Sequence, residues 1–352
     1  MDNYALPIGE RIDWLFDHAR RHCEEYASPE SWLARRRYLA EHPTAISVLK
    51  CMDGRINIPV ATNTPVGIIQ PFRNLGGRFD LGWPHLGEVL SQHIVGVISE
   101  GRRALTLITY HYSKGDPRRG CAGFDYDTAA AIRHTFEIKT QFEFAFGSAH
   151  GTVYPLVCGF ETDEDALVLH GHNGEVLDLS TITPADSHAL PLLLERLYPD
   201  MGEQLRTDLL PLVRGNLAHI AEVRRMKRAS DIEHREWMIC IGRGFDWLHL
   251  PNRALIIGPY SPNLADPIGK AALIIETNMA RGRIPDDGFL LLATVPYHEI
   301  GMERARAVLK SRFMCRFAAG VIRDEFPALA RCMHVRTAVL DWRTRALEPL
   351  AD

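Results

Sequence analysis

"VLKCMDGRINIP", residues 48–59, closes an apolar run with Cys51, Asp53 and Arg55 at alternate positions. The preceding "AISVLK", residues 45–50, is short, continuous and aliphatic, and predicts a buried strand that delivers Cys51 at its end. In an extended segment residues 51, 53 and 55 point to one side. Gly54 permits an unusual backbone turn between the acid and the base. A second stretch some sixty residues on, "ITYHYSKGDPRRGCAGF" (108–124), supplies His111 at the end of another apolar run and Cys121 beyond a glycine-rich loop.

The elements between these stretches alternate in type. "VGIIQPF" (66–72) reads as a second strand, "RNLGGRF" (73–79) as a turn-rich loop, and "LGEVLSQHIVGVISEG" (86–101) as a helix stopped by Gly101. "RALTLITY" (103–110) is a third strand, and a helix follows over residues 126–146. Strand, strand, helix, strand predicts an α/β fold with a mostly parallel sheet flanked by helices. Ligands of such sheets gather beyond the carboxyl ends of the strands, where Cys51 and His111 lie. A hairpin follows, with a strand ending near Phe160 and "ALVLHG" and "EVLDL" flanking Asn173-Gly174.

Four segments are expected. Residues 1–44 form a helical arm of two helices, the second capped by Ser28. Residues 45–180 form the metal-binding α/β domain and 181–232 a helical connector. Residues 233–352 form a degenerate, metal-free repeat of that domain. The repeat is read from "WMICIGRGFDWLHLPNRALIIGPY" (237–260), which parallels "VLKCMDGRINIPVATNTPVGIIQPF" (48–72). Arg55 lies thirteen residues before Ile68, and Arg243 thirteen before Ile256. Setting the two arginines together puts Ile239 at the place of Cys51 and Ile241 at that of Asp53. Matching "FLLLAT" to "ALTLIT" puts Pro296 at the place of His111.

Composition bounds the chemistry. The chain has 352 residues, 46% hydrophobic and 24% charged, with a net charge of −4 and no long run of one sign. That disfavours nucleic acid, whose phosphates need a basic surface. No apolar run approaches the ~20 residues of a membrane span, and the N-terminus lacks the order of a signal peptide. A soluble, cytoplasmic protein without nucleic-acid or membrane partners is expected. Seven widely spaced cysteines argue against a disulfide framework and for a reducing compartment.

Two thiolates and an imidazole, Cys51, His111 and Cys121, form a borderline-soft set suited to one zinc ion per chain. Three protein ligands leave a fourth position open for water. Asp53 is expected either to orient that water or to fill the position itself. Arg55 would pair with Asp53 and lower its pKa.

With these residues in view, "CMDGR" matches the C-x-D-x-R motif of the β-class carbonic anhydrases, and "RNLGG" (73–77) resembles the loop that follows it. The apolar strand ending in histidine, then cysteine, small residues and a helix, resembles that family over residues 46–180. One departure is the spacing. Nine residues separate His111 from Cys121, against the family's H-x2-C, and they must bulge as a loop to return Cys121 to the metal. Divergent branches accept such loops, and the layout resembles that of the carboxysome-shell carbonic anhydrase, with its helical N-terminal region and metal-free second copy. The resemblance implies reversible hydration of carbon dioxide to bicarbonate by zinc-bound hydroxide, with Asp53–Arg55 as the catalytic dyad. It also implies an internal pseudo-dimer able to pair again into a homo-oligomer. Carboxysome residence is not readable. Two alternatives are a hydrolase of carbonyl sulfide or carbon disulfide, and a zinc-stabilised scaffold or bicarbonate-binding module. His85 is expected to approach the site. His93 is expected to be structural or exposed, His170 and His172 exposed in a hairpin turn, and His298 a relic. Asp116, Arg118 and Arg119 are expected to solubilise their loop, with proton shuttling as the alternative.

Overall fold

The computed structural model describes residues 3–183, 186–226, 233–245, 247, 248 and 250–351. The last six residues of the expected connector, 227–232, lie outside the described residues. The first half runs α1 (Ile8–Ala27), α2 (Pro29–Glu41), β1 (Ala45–Cys51), α3 (Ile58–Ala61), β2 (Ile69–Asn74), α4 (Pro84–Ser99) and β3 (Ala104–Tyr112). It continues with α5 (Thr128–Phe146), β4 (Val153–Glu161), β5 (Ala166–His170) and β6 (Val176–Asp178). Helices α6 (Leu190–Leu197) and α7 (Glu203–Met226) lead to β7 (Met238–Ile241), β8 (Ala254–Ile257), α8 (Ala265–Ala280) and β9 (Phe289–Tyr297). Helices α9 (Met302–Glu325) and α10 (Pro327–Ala330), then β10 (Met333–Asp341) and β11 (Leu347–Pro349), complete the chain.

Two sheets form. The first has the order β2-β1-β3-β4-β5-β6 and the second β11-β10-β9-β7-β8. In the first, β1 pairs in parallel with β2 and β3, β3 with β4, and only β5 and β6 run antiparallel. The second repeats this: β7 is parallel to β8 and β9, β9 to β10, and β11 is antiparallel. The expected mostly parallel α/β fold and its second copy are both present. Central strands are buried on both faces, as parallel sheets covered by helices require, and β1 is buried at every position. Its Lys50 is 1% exposed and donates from Nζ to the Ile56 carbonyl at 2.9 Å, so a charge inside the sheet is satisfied by the chain end it helps to fold back.

The strand ladders correct the alignment of the two copies. Strands β3 and β9 each have nine residues, as do β4 and β10, and each pair is matched from first residue to last. Pro296 therefore occupies the position of His111. Ile46 faces Leu105 and Met238 faces Leu290, the second residues of β3 and β9. Ile46 and Met238 correspond, and five residues on, Arg243 falls at the position of Cys51, where Ile239 was expected. The segment 242–253 between β7 and β8 is shorter than 52–68 between β1 and β2, so spacing in the loop does not report register.

The halves are joined by main-chain hydrogen bonds. Ile256 N–H donates to the Met52 carbonyl and Gly258 N–H to the Arg73 carbonyl, both at 2.9 Å. Tyr260 of the second half enters the first half's core against Phe72 and Phe79. Helix α1, read as an arm, lies on the second half. Its buried Arg11 pairs with Asp287 and sits 5.2 Å from the centre of the Trp237 ring. Ser28 caps α2, its hydroxyl accepting from Ser31 N–H at 3.2 Å. Among the described residues, no helix is long and apolar enough to cross a membrane.

Candidate metal centre

Strand β1 ends at Cys51, and β3 carries His111 as its last residue but one. The loop after β3 returns Cys121 to them. It is pinned from outside: Ser113 Oγ donates to Asp163 at 2.8 Å and Gly115 N–H donates to it at 2.7 Å, while Asp116 caps a short turn through Arg118 N–H. The nine-residue bulge is thus a braced loop. Ligand atoms of Cys51, His111 and Cys121 lie within 4.8 Å of one another, and the residues are 5%, 2% and 3% exposed. Both ring nitrogens of His111 are buried and without a hydrogen-bond partner. A buried, unpaired polar group costs ~1–3 kcal/mol, so two on one ring fit an imidazole poised for a metal.

The two thiols are shifted in opposite directions. A hydrogen bond from Cys121 holds the Cys51 thiol well below its ordinary range against burial, with His111 adding to the effect. Cys121 is pushed well above that range by the same bond and by burial. The loop "RNLGG" shapes the wall. Gly76 sits at φ +67°, which disfavours a side chain, and a Cβ there would lie a tight 3.2 Å from Gly123 Cα and 3.3 Å from Cys121 Sγ. Gly77, at φ +65°, would place one 2.9 Å from the Thr109 carbonyl.

Asp53 and Arg55 sit beside this group, but not on an extended strand. β1 stops at Cys51 and the chain turns. Arg55 N–H donates to Asp53 Oδ1 at 2.8 Å, and Arg55 Nη2 to Oδ2 at 2.6 Å, so a local turn folds the guanidinium onto the carboxylate. Gly54 is needed for a different reason from the expected one. Its φ is not in the left-handed region, but a Cβ there would lie 2.4 Å from the Ala254 carbonyl, on β8 of the other half. Burial opposes ionisation of Asp53, yet the charge of Arg55, aided by His234, holds its pKa far below the carboxylate range. Burial works against Arg55 too, and Asp53 outweighs it, raising the guanidinium's pKa. With its oxygens engaged by Arg55, Asp53 is an acceptor-only group alongside the sulfur–imidazole trio.

Two partners of the dyad were not foreseen. His234 Nε2 lies 3.0 Å from Arg55 Nη2, and His234 Nδ1 lies 2.9 Å from the buried Glu236 carboxylate. The only signal was H-x-E immediately before the first strand of the repeat, a spacing without meaning until the halves meet. Arg119, assigned to solubility, accepts from Arg55 Nη2 through its carbonyl at 2.8 Å and pairs with Glu233 at 3.2 Å. Arg118 pairs with Asp116 on the surface. A cleft of about 380 Å³ beside this group is lined by Arg118, Arg119, His234, Lys270 and Arg281.

Other histidines fall elsewhere. His85 does not approach the trio. It stacks on Tyr260 at 6.2 Å and lines a cleft of the second half, because α4 packs there. His93 is structural, set edge-on to Phe72. His170 is half-buried, bonded to the Tyr110 hydroxyl at 2.8 Å, while His172 is exposed. His298 packs against Trp342 with a ring separation of 5.6 Å.

A buried cysteine–histidine–cysteine group at strand ends, an adjacent Asp–Arg pair and a duplicated parallel sheet form a candidate metal centre of the kind that the sequence resemblance to β-class carbonic anhydrases implies. Comparison with known proteins narrows the class. Residues 43–178 match the family model described as carboxysome shell carbonic anhydrase, catalytic domain. The carboxysome shell carbonic anhydrase of Hydrogenovibrio crunogenus is 28% identical over 244 residues, covering 59% of this chain and 46% of the relative. The protein of the same name from Prochlorococcus marinus subsp. pastoris is 24% identical over 237 residues, covering 59% and 47%. That from Parasynechococcus marenigrum is 25% identical over 240 residues, covering 59% and 41%. The chain spans less than half the length of these curated relatives. Over residues 43–178 the chain is thus similar to the catalytic domain of the carboxysome-shell carbonic anhydrases.

Proposed function

We propose that this protein hydrates carbon dioxide reversibly to bicarbonate and a proton, using one zinc ion per chain held by Cys51, His111 and Cys121. The observation that carries the reading is His111, buried between two thiols with neither ring nitrogen partnered. The donor set is the one zinc prefers, and its three members leave a tetrahedral position free. A zinc ion bound there would bring a water's pKa near neutrality and polarise the oxygen of an electrophilic carbon.

The chain's own residues supply orientation and charge. Asp53, ionised and clamped by Arg55, offers lone pairs only, so it selects one orientation of a hydroxyl hydrogen-bonded to it. Arg55 is itself held by the Arg119 carbonyl and by His234, which fixes the dyad against rotation. Lys270 and Arg281 in the neighbouring cleft add positive potential that favours an anionic product. The buried, paired Asp–Arg dyad beside the donor trio favours the enzyme over a scaffold.

The relatives' names attach them to the carboxysome shell, and a like association of this chain is part of the proposal. So is further pairing of the pseudo-dimer. The test is metal analysis with a proton-release assay on dissolved carbon dioxide, for wild type and Asp53→Ala. Wild type should hold about one zinc per chain and accelerate hydration, and the variant should keep the metal and lose most turnover. Full metal loading without acceleration, under reducing and oxidising conditions alike, would overturn the assignment. An Asp53→Ala variant as active as wild type would remove the dyad from it.

A further inference from the structure

The repeat gives the second half a cleft of its own. In the first half, the cleft beside the dyad's partners Arg119 and His234 lies between the loop after β3 and helix α8 of the other copy. The counterpart lies between the end of β9, the segment after β7 and helix α4 of the other copy. Helices α4 and α8 hold the same place in the two copies, between second and third strands, so each covers its partner's strand ends. The second cleft is the larger, at about 690 Å³. Its floor has exchanged metal ligands for other groups: Arg243 stands in register with Cys51, and Pro296 with His111.

Three cations line this cleft: Arg243, Arg306 and Lys310. Among the described residues, none of them has an acidic partner within ion-pair distance. The one acid in the lining, Glu303, is engaged at the start of α9, accepting from His298 N–H and Glu299 N–H at 3.0 and 2.8 Å. Arg243 Nε is buried without a hydrogen-bond partner. Burial, then the charges of Arg243 and Arg306, push the Lys310 ammonium below its ordinary range against the smaller opposing effect of Glu88, which lies beyond ion-pair distance. Like charges gathered in a half-enclosed space repel one another and lose hydration, and an anion relieves both costs. Apolar side chains form the rest of the lining, Val89 and Val295 together with Leu309 and Phe313 beside the cations on α9. The volume lies within the ~300–1,000 Å³ of small-molecule sites, more than a bare inorganic anion fills.

We propose that the second half is an anion-binding module whose cleft takes a small organic phosphomonoester, its phosphate on Arg243, Arg306 and Lys310 and its carbon skeleton on the apolar side chains. A dianionic phosphate offers three terminal oxygens, one for each cation, where a carboxylate offers two and a single charge. The module does not depend on the carbon dioxide reading, since its ligand touches none of the first-half donors.

Titration calorimetry of the full, zinc-loaded chain with phenyl phosphate and with inorganic phosphate tests this. Phenyl phosphate should bind one per chain, more tightly than inorganic phosphate, with affinity falling as salt rises. Arg243→Ala and Lys310→Ala should each weaken it by about tenfold or more, and Lys310→Arg should retain most of it. Lys270→Ala, in the other cleft, should leave it unchanged. The proposal fails if folded wild type binds neither probe. It also fails if inorganic phosphate binds as tightly as phenyl phosphate, or if Lys270→Ala abolishes binding while Lys310→Ala does not. Thermal unfolding without ligand is an independent check. Lys310→Met should melt at or above wild type because repulsion is relieved, whereas a fall of several degrees would make Lys310 a structural cation and contradict the account.

Discussion

The guanidinium of Arg55 meets the imidazole of His234, 179 positions further along the chain, at 3.0 Å. The first copy supplies the donor trio and the dyad, and the second supplies the group that holds the dyad. It contacts the Arg55 nitrogen that also holds Asp53, and its ring lies within 4.8 Å of the Asp53 carboxylate, which makes His234 a positioning residue. His234→Ala should keep the zinc content of wild type and lower kcat by about tenfold with a smaller change in KM. The stopped-flow rate against carbon dioxide concentration separates the two. A variant with unchanged kcat would show that Arg55 needs no support from the second copy.

The donor trio should behave as a unit. Cys51→Ser, His111→Ala and Cys121→Ser should each lose bound zinc and hydration activity together, because two remaining ligands hold the ion weakly. Melting temperature should also become insensitive to a chelator in the variants while wild type is destabilised by it. Differential scanning calorimetry with and without chelator reads this directly.

Gly54 should tolerate no side chain. A Cβ would lie 2.4 Å from the Ala254 carbonyl, a backbone atom with no room to yield. Gly54→Ala should therefore cost about 1–3 kcal/mol of stability by denaturant unfolding, through the junction of the halves. A cost below about 0.5 kcal/mol, within the range of neutral surface changes, would show that the halves part easily.

Acid should loosen the fold before the carboxylates titrate. Burial lowers the pKa of His93 and of His22 from 6.5 to about 4. A group with a depressed folded pKa takes up its proton more readily when unfolded. The stability each contributes is complete above about pH 6.5 and is lost as pH falls toward 4. Allowing for partial exposure, each is worth on the order of 1–2 kcal/mol across that window. His93→Leu should flatten the pH dependence of urea unfolding between pH 6.5 and 4, and an unchanged slope would contradict the assignment.

Much of this was legible in the chain because the signals are local. Buried strands announce themselves as short aliphatic runs, so β1 and β3 were placed with Cys51 and His111 at or beside their ends. The hairpin at Asn173-Gly174 and the cap at Ser28 were read from turn and cap chemistry. What escaped depends on where distant segments meet. The need for a glycine at position 54 comes from Ala254, and the value of His234 comes from Arg55. His85 was assigned to the wrong cleft because α4 crosses to the other copy. The repeat's register was misread from a loop match between Arg55 and Arg243, where the ladders count strand residues and ignore loop length.

Zinc-edge X-ray absorption on the purified, reduced protein, paired with elemental analysis, tests the centre most directly. About one zinc per chain, with two sulfur ligands near 2.3 Å and one imidazole nitrogen near 2.0 Å, is the expected result. Zinc with no sulfur in its first coordination sphere, or protein that takes up no zinc when it is supplied in excess, would contradict it.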